Sequence, residues 1–147
     1  MGPGQGRRIE GPVGGPLTFK AQAERTAGQL TAFENIVAPG EGPPLHVHER
    51  SDEAWYLLEG RLRFQLGSDE READAGAFVY VPRGVEHCFQ NVGREPSRIL
   101  VLFTPAGMEE FFEVFAAGDA SGDPGATFAR ASADADMRIV GPPLSTP

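Results

Sequence analysis

His46 and His48 stand one residue apart, and Glu53 follows in the next segment, all within the stretch GEGPPLHVHERSDEAWYLLEG from Gly40 to Gly60. A strand has a side-chain period of two, so His46 and His48 point to the same face. Two imidazoles on one face, followed by a carboxylate, make a metal-ligand arrangement. The chain holds 3 histidines, and the last of them, His87, lies in a second ordered stretch with Gly76, Pro82, Gly84 and Asn91. A lone histidine in a β domain is ordinarily a hydrogen-bonded polar residue. Here every histidine falls in one of two glycine-framed stretches.

Such residues need short strands to position them. Leu17 to Ala23 and Leu30 to Ala38 alternate apolar and polar residues and predict two strands. Pro39 to Pro44 (PGEGPP) is a rigid connection that cannot be a central strand, because proline lacks the backbone donor. It delivers the chain into Leu45 to His48. Further strands are predicted over Glu53 to Glu59, Arg61 to Leu66, Glu72 to Ala75, Ala77 to Val81, His87 to Asn91 and Ser97 to Thr104. Turn residues recur about every eight to twelve positions, the spacing of a sandwich or small barrel.

After Pro105 the period changes. Met108, Phe111, Phe112 and Phe115 recur at helical spacing and predict an amphipathic helix from Gly107 to Ala117, docked on the barrel or forming a dimer face, with a cap over the barrel mouth as the alternative. Asp123-Pro124 can cap a second helix through about Ala133. Met137 to Val140 predicts a last short strand. The expected organisation is a flexible arm over residues 1–16, rich in glycine and proline, a barrel over 17–105, and a helix and tail over 106–147.

At 147 residues, 40% of them hydrophobic, the chain can build one domain with a core. Its 19 glycines and 13 prolines are spread along the length, as frequent turns require. The net charge is -8 with no basic run, which excludes nucleic acid and anionic membrane surfaces as partners. The single cysteine, Cys88, cannot form an internal disulfide, which fits a reducing compartment. By alternation it faces away from His87 and packs as a small apolar group. The first residues lack the apolar core of a signal peptide, so a soluble cytoplasmic protein is expected.

Written as spacings, the first stretch runs Gly40, five residues, His46, one, His48, four, Glu53, six, Gly60. The second runs Gly76, five, Pro82, one, Gly84, two, His87, three, Asn91. Position for position, both resemble the two signature motifs of the cupin superfamily, over roughly Leu17 to Pro105. The resemblance implies an all-β double-stranded β-helix, or jelly-roll barrel, with a short C-terminal helical segment. It also implies one divalent transition metal (Fe, Mn, Ni, Co, Cu or Zn) held by His46, His48, Glu53 and His87, and pairing into a homodimer. Asp52 is the nearest competitor to Glu53, but the pattern asks for glutamate, so Asp52 is expected in solvent. Asn91, Pro82 and the glycines are expected to shape turns.

Imidazole and carboxylate donors suit those metals, and four protein ligands leave one or two positions open on a five- or six-coordinate ion. A divalent ion with one carboxylate keeps about one positive charge, which favours an enolate, carboxylate or phenolate oxygen. Trp55 and Leu57 share the face of Glu53, and Phe64, Leu66 and Phe89 lie on the same interior. They are either barrel core or the walls of an apolar substrate pocket. The complete ligand set and aromatic interior resemble single-domain bacterial quercetinase-like cupins. That implies a metal-dependent dioxygenase acting on a small enol or phenolic (flavonol-like) substrate, with Glu53 as both ligand and catalytic proton acceptor. Two alternatives stay open: a non-catalytic module that binds a metal and a small molecule, and a metal-dependent isomerase, decarboxylase or cyclase, which wants charged residues inside the barrel.

Overall fold

Two antiparallel sheets face each other, and the strands that carry the histidines lie opposite the strand that carries Glu53. The structure, a computed structural model, describes residues 1–118, 122–133 and 135–146. Its strands are β1 (Arg7–Glu10), β2 (Pro16–Ala21), β3 (Thr31–Val37), β4 (His46–Val47), β5 (Asp52–Glu59), β6 (Arg61–Leu66), β7 (Asp69–Asp74), β8 (Phe78–Val81), β9 (His87–Asn91), β10 (Ser97–Thr104) and β11 (Arg138–Ile139). Its helices are α1 (Ala23–Thr26), α2 (Glu109–Ala117) and α3 (Pro124–Ala133). Among the described residues one sheet runs β1-β2-β3-β10-β5-β8 and the other β11-β4-β9-β6-β7. This is the expected all-β jelly roll, with a helical segment after it.

Alternation builds the core. On β10 the residues Ile99, Val101 and Phe103 turn inward and meet Phe33 and Val37 from β3 and Trp55 and Leu57 from β5. On β7 the sequence DEREAD is polar but for the half-buried Ala73, because this strand is a sheet edge exposed to solvent. Charged side chains there discourage pairing with another chain. β7 starts at Asp69, ahead of the strand expected from Glu72, because Leu66 and Asp69 pair across a two-residue turn.

The N-terminal residues depart from the flexible arm that composition suggests. β1 pairs antiparallel with β2, with Arg7 opposite Phe19 and Ile9 opposite Leu17. Val13 is 2% exposed and belongs to the core. The glycines here permit close approach: a Cβ on Gly15 would collide with the Ile36 carbonyl. A one-turn α1 occupies part of the expected turn at Arg25 to Gln29.

The stripe Met108, Phe111, Phe112 and Phe115 docks onto the barrel. Met108 and Phe111 are buried, and Phe112 meets Phe33 edge-on with ring centroids 4.8 Å apart. Phe111 and Phe115 hold Phe128 of α3 at 5.2 and 6.1 Å. The Glu109 carboxylate pins the start of α2 by accepting from the Thr31 hydroxyl, from the Ala23 N–H at 2.6 Å and from the Gly107 N–H at 2.9 Å. Among the described residues, no helix is long and apolar enough to cross a membrane.

Candidate metal centre

The proline-rich connection needs Gly42 to reach β4, since a Cβ there would collide with the Phe89 carbonyl of β9. β4 then pairs with β9, placing His46 opposite His87 in register. His48 follows one pleat later on the same inward face. Glu53 enters from β5 in the facing sheet, opposite Phe103 of β10. All four side chains are buried, and their ligand atoms lie within 4.8 Å of one another. The sequence expected these four together, and the fold brings them together as a cluster that could hold a metal.

The outer ring nitrogens define what the inner ones can do. His46 Nδ1 lies 2.7 Å from the Pro44 carbonyl, His87 Nδ1 2.8 Å from the Val85 carbonyl, and His48 Nδ1 2.7 Å from the Asp136 carbonyl. A carbonyl only accepts, so each Nδ1 carries the hydrogen. In a neutral ring the Nε2 lone pair is then free and faces the centre. Glu53 is fixed in the same way: the Trp55 indole N–H donates to Oε1 at 2.6 Å, leaving Oε2 toward the rings. That oxygen sits 2.7 Å from His87 Nε2 and 3.2 Å from His48 Nε2. The second contact is off hydrogen-bond alignment, so His48 Nε2 is buried with no partner.

Electron pairs therefore face one another in a dry site, and a cation between them resolves the conflict. Without an ion the titration tendencies put a proton there instead, favouring a charged His48 beside a charged Glu53. Burial, then the neighbouring His87 and His48, push His46 down to about 3. Burial pushes the Glu53 carboxyl up, but His87 and His48 outweigh it and hold the group well below the usual carboxylate range. Burial also opposes charge on His48, and there the Glu53 carboxylate wins and raises it. Three imidazole nitrogens and one carboxylate oxygen fit a divalent transition metal.

Asp136 is a participant with no motif of its own. Besides its carbonyl contact to His48, its Oδ1 accepts the Glu49 N–H at 3.0 Å. Its Oδ2 accepts the Arg50 N–H at 2.9 Å and the Ser51 hydroxyl at 3.0 Å. One side chain thus clamps the turn that links His48 to Glu53. β11 follows at once and pairs with β4, Ile139 opposite His46.

Asp52 points the other way. Its Oδ1 accepts the Arg83 N–H at 2.9 Å and Nε at 3.1 Å, and these contacts hold its carboxyl down at about 2. It is an outer-face ion pair outside the ligand cluster. Asn91 shapes a turn, as expected: its amide donates to the Val37 and Glu95 carbonyls, and its oxygen accepts the Gly93 N–H. Cys88 is 0% exposed, and burial pushes its thiol up to about 11. Cys88 is therefore expected to resist iodoacetamide at pH 8 in the folded protein and to react once denatured, as mass spectrometry would report. Labelling of the native protein at the denatured rate would contradict that burial.

A cavity of about 40 Å³ adjoins the cluster, bordered by His46, His48 and Glu53, by Asn35 and Phe33 of β3, by Phe89 and Phe103, and by Met108, Phe111, Phe112, Phe128 and Met137 of the C-terminal segment. Of the five wall residues that alternation suggested, Phe89 alone borders it. Trp55 lies beneath the centre, its ring 5.1 Å from Phe89 and 5.8 Å from His87, and Leu57 is core. Phe64 and Leu66 line a separate shallow depression with Arg71, Phe78 and Tyr80. Alternation sets the face of a strand, while the cavity occupies one end of the barrel. Other walls come from Pro12, Val13 and Met137, which no motif marks, and from Met108, Phe111 and Phe112 of the apolar stripe, which cover the cavity.

Comparison with known proteins agrees with this architecture. The cupin domain family matches residues 33–103. An uncharacterized protein of Methanocaldococcus jannaschii, MJ1618, is 35% identical over 81 residues, covering 55% of this chain and 65% of that one. The tetracenomycin polyketide synthase protein TcmJ of Streptomyces glaucescens is 34% identical over 80 residues, covering 54% of this chain and 52% of that one. The match thus spans only about half to two thirds of those relatives. Among solved structures, an RmlC-like cupin from Shewanella frigidimarina superposes with a TM-score of 0.64 at 18% identity, covering 74% of this chain and 92% of that one. That likeness is one of fold. Residues 33–103 are thus similar to the cupin domain family, and the jelly roll around the inward-facing cluster is the fold of the cupin structures it superposes on.

Proposed function

We propose that the chain is a metal-dependent enzyme of dioxygenase type, acting on a small enolic or phenolic substrate. One observation carries this reading: three Nε2 atoms with fixed tautomers and one carboxylate oxygen converge beside an apolar cavity. His46, His48, Glu53 and His87 would hold the metal. Once bound, it would supply Lewis acidity toward a substrate hydroxyl and, if redox-active, electronic access to oxygen. Glu53 Oε2 faces the centre to take the hydroxyl proton, while the Trp55 N–H keeps Oε1 occupied. The Phe103, Phe111 and Phe112 rings exclude water, which strengthens the interactions of a bound anion.

The similarity to TcmJ, named for a polyketide synthase, supports the substrate class, because polyketide chains are rich in enolisable carbonyls. Among the described residues, the cavity carries no charged side chain beyond the ligand cluster, which disfavours a polar oxoacid or sugar. The volume of about 40 Å³, short of what an aromatic ring fills, favours a second reading, a non-catalytic cupin that holds the metal with a ligand of only a few atoms.

Anaerobic reconstitution with Fe²⁺, Mn²⁺, Co²⁺ and Ni²⁺ in turn, followed by oxygen-uptake assays on enols, flavonols and catechols, decides between them. Metal-dependent uptake is expected, falling at least about 100-fold in His48→Ala. Stoichiometric metal without uptake on any compound would leave the binding module.

A further inference from the structure

On β3 the alternation turns Phe33, Asn35 and Val37 inward. Asn35 is the anomaly: an amide 5% exposed, flanked in register by Leu17 and Ile99, both fully buried. Its Oδ1 has no hydrogen-bond partner. Buried amide oxygens are rarely left this way, because losing water without a replacement is unfavourable. The residue borders the cavity that also holds His46, His48 and Glu53. Beyond the ligand cluster, it is the one side chain among the described lining residues that can accept or donate a strong hydrogen bond. Nothing in the folding of β3 requires an amide there, since the ladder to β2 and β10 is made by the backbone.

We infer that Asn35 is a specificity residue, whose amide oxygen accepts a hydrogen bond from a hydroxyl of the ligand bound at the metal centre. The ligand class is a vicinal diol-type phenol or hydroxy-carbonyl, with one oxygen directed to the ligand cluster and a hydroxyl directed to Asn35. A half-turn of the amide would present its N–H₂ instead, so the same residue can serve a carbonyl. Phe33, Phe103 and Phe112 give a ring an apolar seat once the flexible Met108 and Met137 side chains swing aside to enlarge the cavity of about 40 Å³, and they give a hydroxyl no other partner. This inference rests on the reading of the cavity as a phenol or enol site.

The test uses the protein loaded with redox-inert Zn²⁺, so that binding is read without turnover. Calorimetry measures the affinity for catechol and for 2-methoxyphenol in wild type and in Asn35→Leu, which keeps the volume and removes the polar group. The Leu variant is expected to bind Zn²⁺ within about twofold of wild type and to melt no lower, since an orphaned polar group has gone. Its catechol affinity is expected to fall about tenfold or more, with 2-methoxyphenol within about twofold. Asn35→Ala gives the same readout should leucine disturb packing.

Wild-type binding of catechol with an unchanged preference in both variants overturns the assignment of Asn35 and leaves the phenolic site standing. Zn²⁺ uptake with no binding of either compound to wild type overturns both. Loss of folding in both variants overturns the assignment by making Asn35 a structural residue.

Discussion

Zn²⁺ or Co²⁺ at about a thousand times its Kd is expected to raise the unfolding free energy by about 4 kcal/mol. For a domain of this size that is roughly 12–16 °C in Tm. The cause is the arrangement of His46, His48, Glu53 and His87, whose buried acceptor atoms face one another at distances as short as 2.7 Å. The folded protein offers the ion a prebuilt site, while the unfolded chain offers scattered ligands. Chelation should reverse the gain, and His48→Ala should remove most of it. The gain should shrink as pH falls, because protons compete for the same nitrogens and oxygen. Scanning calorimetry with and without the ion reads all three effects. A melting temperature that neither ion moves would exclude a metal centre here.

Asp136→Ala is expected to weaken Zn²⁺ binding about 10- to 100-fold, the range for residues that orient a ligand from behind. Its carboxylate makes the three hydrogen bonds that hold Glu49, Arg50 and Ser51, and its carbonyl accepts from His48. Without the carboxylate the turn loses its clamp, and the carbonyl loses the anchor that sets its distance from the ring. Asp136→Asn keeps one acceptor oxygen and should fall between wild type and Ala. Competition against a chromogenic chelator measures the ratios. Wild-type affinity in the Ala variant would mean that β11 alone positions the carbonyl.

The candidate centre was legible in the sequence because its four side chains obey local rules. His46 and His48 share a strand face, and the glycines and prolines around them fix where that strand begins. The walls were not legible, because they depend on depth. Leu57 shares the face of Glu53, but four residues of strand carry it about 13 Å further along the barrel, into the core. Leu66 pairs with His87 and Phe64 with Phe89, so their level is right, but β6 lies one strand further from β4, and there they line a separate depression.

The arm over residues 1–16 looked loose because glycine and proline dominate it. In fact those glycines let Gly15 lie against β3. Asn35 did carry a readable signal: in LTAFENIVA it falls in step with Phe33 and Val37, an amide on an apolar face. Asp136 carried none, because its contact with His48 spans 88 residues and the two ends meet only after the barrel has closed.

The acceptors behind the three rings are all main-chain carbonyls. A point mutation can replace a side chain but cannot delete a carbonyl, so no single substitution outside the ligands removes the groups that select the tautomer. Pro44 and Val85 each precede their own histidine by two residues, which makes those contacts as durable as the strands themselves. The third carbonyl is borrowed from a distant segment, and its genetic risk is concentrated there. Inherited variation that disarms the centre while sparing its ligands should therefore cluster around Asp136, far from either motif in the sequence.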